Sequence, residues 1–531
     1  MGFSRRVLLI AIPAGALLQI VLLLVPQVPL GIPGEWTWSR TPTGTTNPIS
    51  LLLTALLLTA YLLFLRFGSL RISAATGWRR LGWCLLLWLF ACMPMWSLRG
   101  LSDGIYGHAG LTWVTYYPRM SGYFTQASQH NGDLTSLLRG YENTVREGDY
   151  LHQGTHPPGL PIYFSLWLKA CRASPGFRDF LLSTQPLEIG QGLEVIEEFA
   201  VHAGVSFGPE HRAVLWGNVL LTHLLTAATV LPLFLLTSTF IRADFAWWLS
   251  GLWPLCPGLV VFMPKSDVLF PLVSMLTVCL FLMSVSAKRR TCRIGLAWLA
   301  GLTLWLGLLM SLALLVVAAI LACWCLLRAA AAVESDPLVP DISFKKLLRG
   351  GWLVRIPWDV VLAASCGILL PCLGLWWLYD LNLATVWRIN LAKHGEFYDH
   401  NTRNYLAWLL ENPLELAFSL GGPLFVLTIS AVWRFRWRPR GDALGHLAYS
   451  VVLVWVLLWL SGKNMGESAR LWIFLFPLIL LVVASQFPRH GTTAPEADAP
   501  FPWLLCGVAQ ALVAGVTVAS LDGFDYSAFP L

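Results

Sequence analysis

Residues 294–328 read IGLAWLAGLTLWLGLLMSLALLVVAAILACWCLLR, a run with no charge before its closing Arg328. As one helix rising 1.5 Å per residue it would be about 52 Å long, whereas a hydrocarbon core about 30 Å thick takes roughly 20 residues. Tilt does not absorb that excess. Lys288, Arg289, Arg290 and Arg293 precede the run, and Lys345, Lys346, Arg349 and Arg355 follow it. Short loops rich in Arg and Lys stay on one side of a membrane. The run therefore crosses twice, and the chain reads as a polytopic membrane protein.

Working outward with Arg5 and Arg6 inside, hydropathy predicts about 13 spans. They lie near 7–27, 49–65, 81–98, 213–240, 244–262, 267–286, 294–309, 311–328, 359–379, 414–433, 446–461, 470–486 and 501–520. Two further basic loops, Arg66 to Arg80 and Arg434 to Arg440, then fall on the inner side as well. The first run has no small-residue cleavage site and reads as a retained span.

Composition agrees: 56% of residues are hydrophobic and only 12% charged, where a soluble domain carries about 25%. The net charge of +7 reports orientation and predicts no nucleic-acid partner. Trp247, Trp248, Trp376 and Trp377 sit at block ends, where rings anchor at headgroup level; core packing accounts for about half of all the Trp. Of the 11 Cys only Cys171 falls in an outer loop, and no CxxC pair exists. A disulfide framework is not expected.

The stretch 160–168 is too short to cross and reads as an amphipathic helix lying on the membrane. Everything from about Arg99 to Arg212 is then one outer segment, and structureless loops of that length are rare and usually functional. Its later part, 175–209, suggests further surface helices.

The outer side collects the reactive residues. Asp103, in LSDGIY with Tyr106, sits at a membrane boundary where desolvation raises basicity; a turn residue is the equal alternative. Asp149 lies in EGDYLHQGTHPPG, where Pro157 and Pro158 fix the backbone after His156. Such a His can hold a metal, a phosphate or a proton, or simply start a helix. Lys265 and Asp267 form an ionisable pair between apolar blocks, a costly placement that favours function, although Asp267 also suits a helix cap. In SGKNMGESARLW, Arg470 could clamp a phosphate with Glu467 holding its guanidinium, beside Lys463; an interfacial ion pair is the bland reading. Segment 393–403, with His394 and Arg403, adds charge on the same side.

This order of elements resembles the GT-C type membrane glycosyltransferases, the group of protein O-mannosyltransferases, lipid A aminoarabinose transferases and bacterial lipid-linked sugar transferases. Asp103, then Gly148-Asp149-Tyr150, then His156 to Gly159, a later Asp267, and Gly466-Glu467 with Arg470-Leu471-Trp472 carry the resemblance. Many of that group have an acidic pair in the first loop, whereas Gly104 follows Asp103 here, which leaves the base and any metal ligation open. The resemblance implies an all-α fold in three parts. Residues 1–80 are two amino-terminal spans and a cytoplasmic loop, an added anchor. Residues 81–330 are the catalytic core with outer segment 99–212. Residues 331–531 are membrane helices with outer loops 380–413 and 462–470.

It also implies an enzyme of a bacterial inner membrane with an outward-facing site, taking a sugar from a polyprenyl-phosphate donor to a glycan, lipid or protein acceptor. Asp103 would be the base, with Asp267 or His156 orienting the acceptor or a divalent cation, Mg or Mn, for which Asp103, His156 and Asp267 are the ligand candidates. Arg403, Lys463, Arg470 and Lys265 would hold the donor phosphate, with Tyr106, Asp149 and Glu467 in support. A transporter or flippase of a lipid-linked sugar, and a polysaccharide ligase or polymerase, are the alternatives.

Overall fold

The computed structural model describes residues 4–42, 44–334, 353–435, 442–488 and 501–529. Lys345, Lys346, Arg349, Arg436, Arg438 and Arg440 of the basic loops lie outside the described residues.

The long apolar run is two helices, Arg290–Met310 and Leu315–Glu334. Ser311 breaks it: its backbone is extended, and its Oγ accepts from Ala313 N at 3.3 Å, the local bond by which Ser competes with a helix. Each half is long and apolar enough to cross on its own.

The protein is an all-α integral membrane protein. Among the described residues ten helices are long and apolar enough to span, or 11 when one bent pair counts as a span. Caps set their starts: Asn47 Oδ1 accepts from Ile49 N at 2.9 Å ahead of Pro48–Ile72, with Pro48 in the first turn. The expected count of 13 differs at three places. Segment 244–262 is Ala243–Gly251, a 3-10 turn and the short Pro257–Val261, because Pro254 and Pro257 lack the N–H a continuous helix needs. Segment 470–486 is likewise divided and fully buried over Phe476–Ala484. Segment 414–433 bends by 119° between Tyr405–Leu420 and Gly422–Arg434.

Small residues set the closest helix approaches. A Cβ on Gly301 would lie 1.9 Å from Ala364 O, and one on Gly367 2.2 Å from Trp298 O. Helices Arg290–Met310 and Trp358–Tyr379 therefore touch backbone to backbone. The first span is packed into the bundle. Buried Gln19 donates to Phe418 O (2.9 Å) and Thr517 Oγ1 (3.1 Å) and accepts from Gly422 N (2.7 Å), tying three helices at one point.

Trp376 and Trp377 are exposed at 55% and 86%, as expected of interfacial anchors, but Trp247 and Trp248 are core. Trp247 Nε1 donates to Leu65 O at 3.0 Å. All 11 Cys are free.

The segment between spans Gly77–Arg99 and Pro209–Phe240 is folded throughout into short helices. Gly159–Ala173 buries Leu160, Phe164 and Leu168 against its neighbours and turns Leu166 outward. It is too short to span. Pro175–Ser183 and Leu187–His202 are the expected further helices. Two small antiparallel sheets complete the fold, Gly31–Ile32 with Trp36–Thr37, and Ser39–Arg40 with Leu521–Asp522.

Candidate functional site

Loop 461–467 is the frame of the site. Asn464 and Glu467 are non-glycine residues with positive φ, 65° and 58°, each following a glycine, Gly462 and Gly466, in the same region. Such backbone is uncommon and concentrates where a fold must aim a side chain. Buried Glu415, in the helix that bends at Gly421, holds this loop's exit by accepting from Ser468 Oγ (2.8 Å), Ala469 N (3.1 Å) and Trp38 Nε1 (3.0 Å). The helix that begins there carries Arg470.

Arg470 Nη2 donates to Glu467 Oε2 at 2.6 Å, and its Nε has no partner. Arg403 has Nε and Nη1 buried without a partner. Its guanidinium lies 5.9 Å from the ring centre of Trp36 and 5.6 Å from that of Trp408. Among the described residues no carboxylate pairs with this cation, which leaves its fork of donors open.

Lys265 is buried and donates to Met120 O. Burial, and then the positive charge of Arg470, push its amine down to about 7, against the attraction of Asp267 and Glu467. A lysine poised near neutrality in a charged cluster makes this a candidate site. Asp267 sits in the field of both cations and accepts no hydrogen bond among the described residues.

The outer segment closes the cluster. Tyr123 is buried at 3% exposure, its hydroxyl feeling Asp267 and Arg470. The His156 ring packs 5.4 Å from Tyr123 and 6.4 Å from His394, and its Nδ1 meets Thr155 Oγ1 at 2.9 Å. Burial, and then His394 and His152, hold His156 well below its ordinary range. Burial and the Lys265 ammonium push His152 down to about 3, with Nε2 donating to Arg119 O at 2.7 Å. Both imidazoles are neutral at physiological pH. Asp149 shapes the backbone here: its Oδ1 accepts from the amides of Leu151, His152 and Gln153.

The structure thus brings together His156, Lys265, Asp267, Glu467 and Arg470, with Arg403 beside Gly466 (3.6 Å from that residue's Cβ position). Lys463 is exposed at the rim, near enough to His394 to act on its charge. Asp103 and Tyr106 lie elsewhere. Asp103 accepts from Asn47 Nδ2 at 3.2 Å and lines a different cavity, while Tyr106 packs against Tyr526 with ring centres 6.0 Å apart.

No family model, curated protein or solved structure matches the chain. What the site does rests on its own geometry. Among the described residues no three His, Cys, Asp or Glu are grouped as a metal site, so Asp103, His156 and Asp267 do not form one ligand set.

Sequence reasoning passed over Tyr123, His152, Glu415 and the loop bearing Glu35 and Trp36. Glu35 Oε2 accepts from Asn404 N (2.9 Å) and Trp408 Nε1 (2.8 Å), docking that loop beside Arg403. Its only sequence signal is a short hairpin between two spans.

Proposed function

We propose that the protein is a membrane glycosyltransferase of the GT-C kind, moving a sugar from a polyprenyl-phosphate donor to an acceptor at the membrane surface. The observation that carries the reading is the pair of cations Lys265 and Arg470 beside the free carboxylate of Asp267, with Arg403 next to the same loop at Gly466 and, among the described residues, unpartnered donors on both guanidinium groups.

In the reaction, Arg403 and Arg470 hold the donor phosphate through charged hydrogen bonds, and Lys265 adds a third charge when protonated. Asp267 takes the proton of the acceptor hydroxyl as its oxygen attacks the anomeric carbon. The bond from that carbon to the phosphate oxygen breaks, and polyprenyl phosphate leaves with its charge met by the three cations. Asp103, the base that the resemblance implies, yields this role to Asp267 because Asp267 stands among the cations.

Counting the bent pair and the two divided apolar segments as crossings, beside the ten span-length helices, gives 13 passages. The basic loops then lie inside, and the site faces outward from a bacterial inner membrane. Purified protein in nanodiscs, given labelled polyprenyl-phosphate sugar and a membrane extract, should release polyprenyl phosphate and label an acceptor. Label that stays on the donor with every extract would reject the reading.

A second reading, a flippase for the same lipid-linked sugar, has one observation in favour: the helix bent by 119° at Gly421 beside buried Gln510, which donates to Leu420 O at 2.8 Å. Transporters build sites at broken helices. Vesicles that move intact donor between leaflets without consuming it would support this reading instead.

A further inference from the structure

Residues 73–76 connect helices Pro48–Ile72 and Gly77–Arg99, with Arg66 and Arg71 before the connection and Arg79 and Arg80 after it. Among the described residues none of these four arginines pairs with a carboxylate. Other arginines at helix ends do. Arg242 grips Asp244 with two donors at 3.2 and 2.9 Å, and Arg293 grips Asp359 at 2.6 and 2.9 Å. The charge at this one corner is left for a partner from outside the chain.

Two of the guanidinium groups are held in place. Arg80 Nη2 donates to Ser238 Oγ at 2.7 Å, and its guanidinium carbon lies 5.3 Å from the ring centre of Phe234. Its other two nitrogens have no partner among the described residues and are not closed off by protein. Arg71 lies 5.2 Å from the ring centre of Phe67 and, like Arg66 and Arg79, is exposed. A guanidinium fork that is already oriented loses less freedom on taking a phosphate. The start of Gly77–Arg99 adds to the positive field: its first turn holds no carboxylate but does hold Arg79 and Arg80, where the helix dipole disfavours cations. An anion relieves that conflict.

The surface beside the arginines is apolar. Trp78 is 86% exposed, the placement of a ring at headgroup level. Leu81, Leu85 and Leu89 follow it at steps of four along one helix face, and all three are exposed. Phe67, under Arg71, is half exposed. Cations at the end of an exposed apolar stripe match a ligand with an anionic head and hydrocarbon chains. A soluble anion meets the arginines but leaves Trp78 and the leucines without a counterpart.

We propose that this corner is a binding site for an anionic phospholipid, its phosphate taken by Arg66, Arg71, Arg79 and Arg80 and a chain lying along Leu81, Leu85 and Leu89. Arg80, fixed on Ser238, sets the position of the phosphate, and the exposed arginines close on it. None of these residues belongs to the cation site around Lys265. The lipid site is independent of the transferase reading and stands if the protein proves to be a flippase.

The test uses full-length protein in nanodiscs of phosphatidylcholine and phosphatidylglycerol with matched chains, released into native mass spectrometry to read which lipid stays bound. Wild type should retain phosphatidylglycerol in clear preference to phosphatidylcholine. Arg66→Gln/Arg71→Gln/Arg79→Gln, which spares the Arg80 bond to Ser238, should lower that preference at least about tenfold, since each surface cation adds to the attraction. Lys288→Gln/Arg289→Gln/Arg290→Gln removes the same charge from another exposed loop and should leave most of the preference in place. Thermal unfolding midpoints near wild type report that both variants are folded. Equal retention of the two lipids by wild type would overturn the proposal, as would an undiminished preference in the first variant or an equal loss in both. Displacement of the lipid by glycerol 3-phosphate as readily as by phosphatidylglycerol would overturn the lipid assignment.

Discussion

Arg403 stands over the ring of Trp36, its guanidinium carbon 5.9 Å from the ring centre, so the loop after the first span forms one wall of a site otherwise built from the later parts of the chain. Arg403→Ala should weaken polyprenyl phosphate binding. A hydrogen bond to a charged group is worth about 1.5–3 kcal/mol, which corresponds to roughly a 10- to 150-fold loss. Trp36→Ala should cost less, since a cation–π contact contributes about 0.5–2 kcal/mol. Titration of each variant with polyprenyl phosphate checks the order; unchanged affinity in Arg403→Ala would remove it from the site.

Lys265 predicts a pH dependence. Its folded pKa of about 7 lies below the ordinary 10.5, so it is cationic below pH 7 and neutral above. Phosphate affinity should be highest below pH 7 and fall as pH rises through it, and Lys265→Met should flatten that step. Between about 7 and 10.5 the unfolded chain holds the proton that the folded one has lost. This group's contribution therefore makes stability rise with pH over that window. Binding isotherms from pH 5.5 to 9 read the first effect directly.

Gln19→Leu removes two donated hydrogen bonds and one accepted bond at the junction of three helices. Leaving Gly422 N and its neighbours unpaired should cost about 1–3 kcal/mol. A lowered thermal unfolding midpoint in nanodiscs is expected. An unchanged midpoint would return the first span to the status of a detachable anchor.

Gly301→Val should separate Arg290–Met310 from Trp358–Tyr379, because the added Cβ would lie 1.9 Å from a carbonyl oxygen. Gly295, on the same helix, has nothing within 4 Å of its Cβ position. Gly295→Val should leave expression and unfolding near wild type while Gly301→Val impairs both.

The division of 294–328 into two span-length helices was legible because length and flanking charge are local properties. So was Gly159–Ala173 as a helix too short to span. Less legible were 244–262 and 470–486, where apolar length suggests a span but Pro254, Pro257 and Pro477 divide the helix. Trp247 shows the same limit, since burial inside a bundle and anchoring at its surface give one sequence pattern. For the site, local motifs pointed to Lys265, Asp267, Glu467 and Arg470. Which carboxylate joins the cations is a matter of tertiary placement, and it separates Asp103 from Asp267. Trp36 and Glu35 gain meaning only through contacts with Trp408 and Asn404 far along the chain.

The most direct test of the account is single-turnover transfer by protein in nanodiscs, using polyprenyl-phosphate sugar labelled in the sugar together with a membrane extract. Wild type should release polyprenyl phosphate and pass the label to an acceptor. Asp267→Asn should bind the donor with near-normal affinity and transfer at least a hundredfold more slowly, the scale of a lost general base. Wild-type turnover by a folded Asp267→Asn protein, or no transfer by wild type to any fraction, would contradict it.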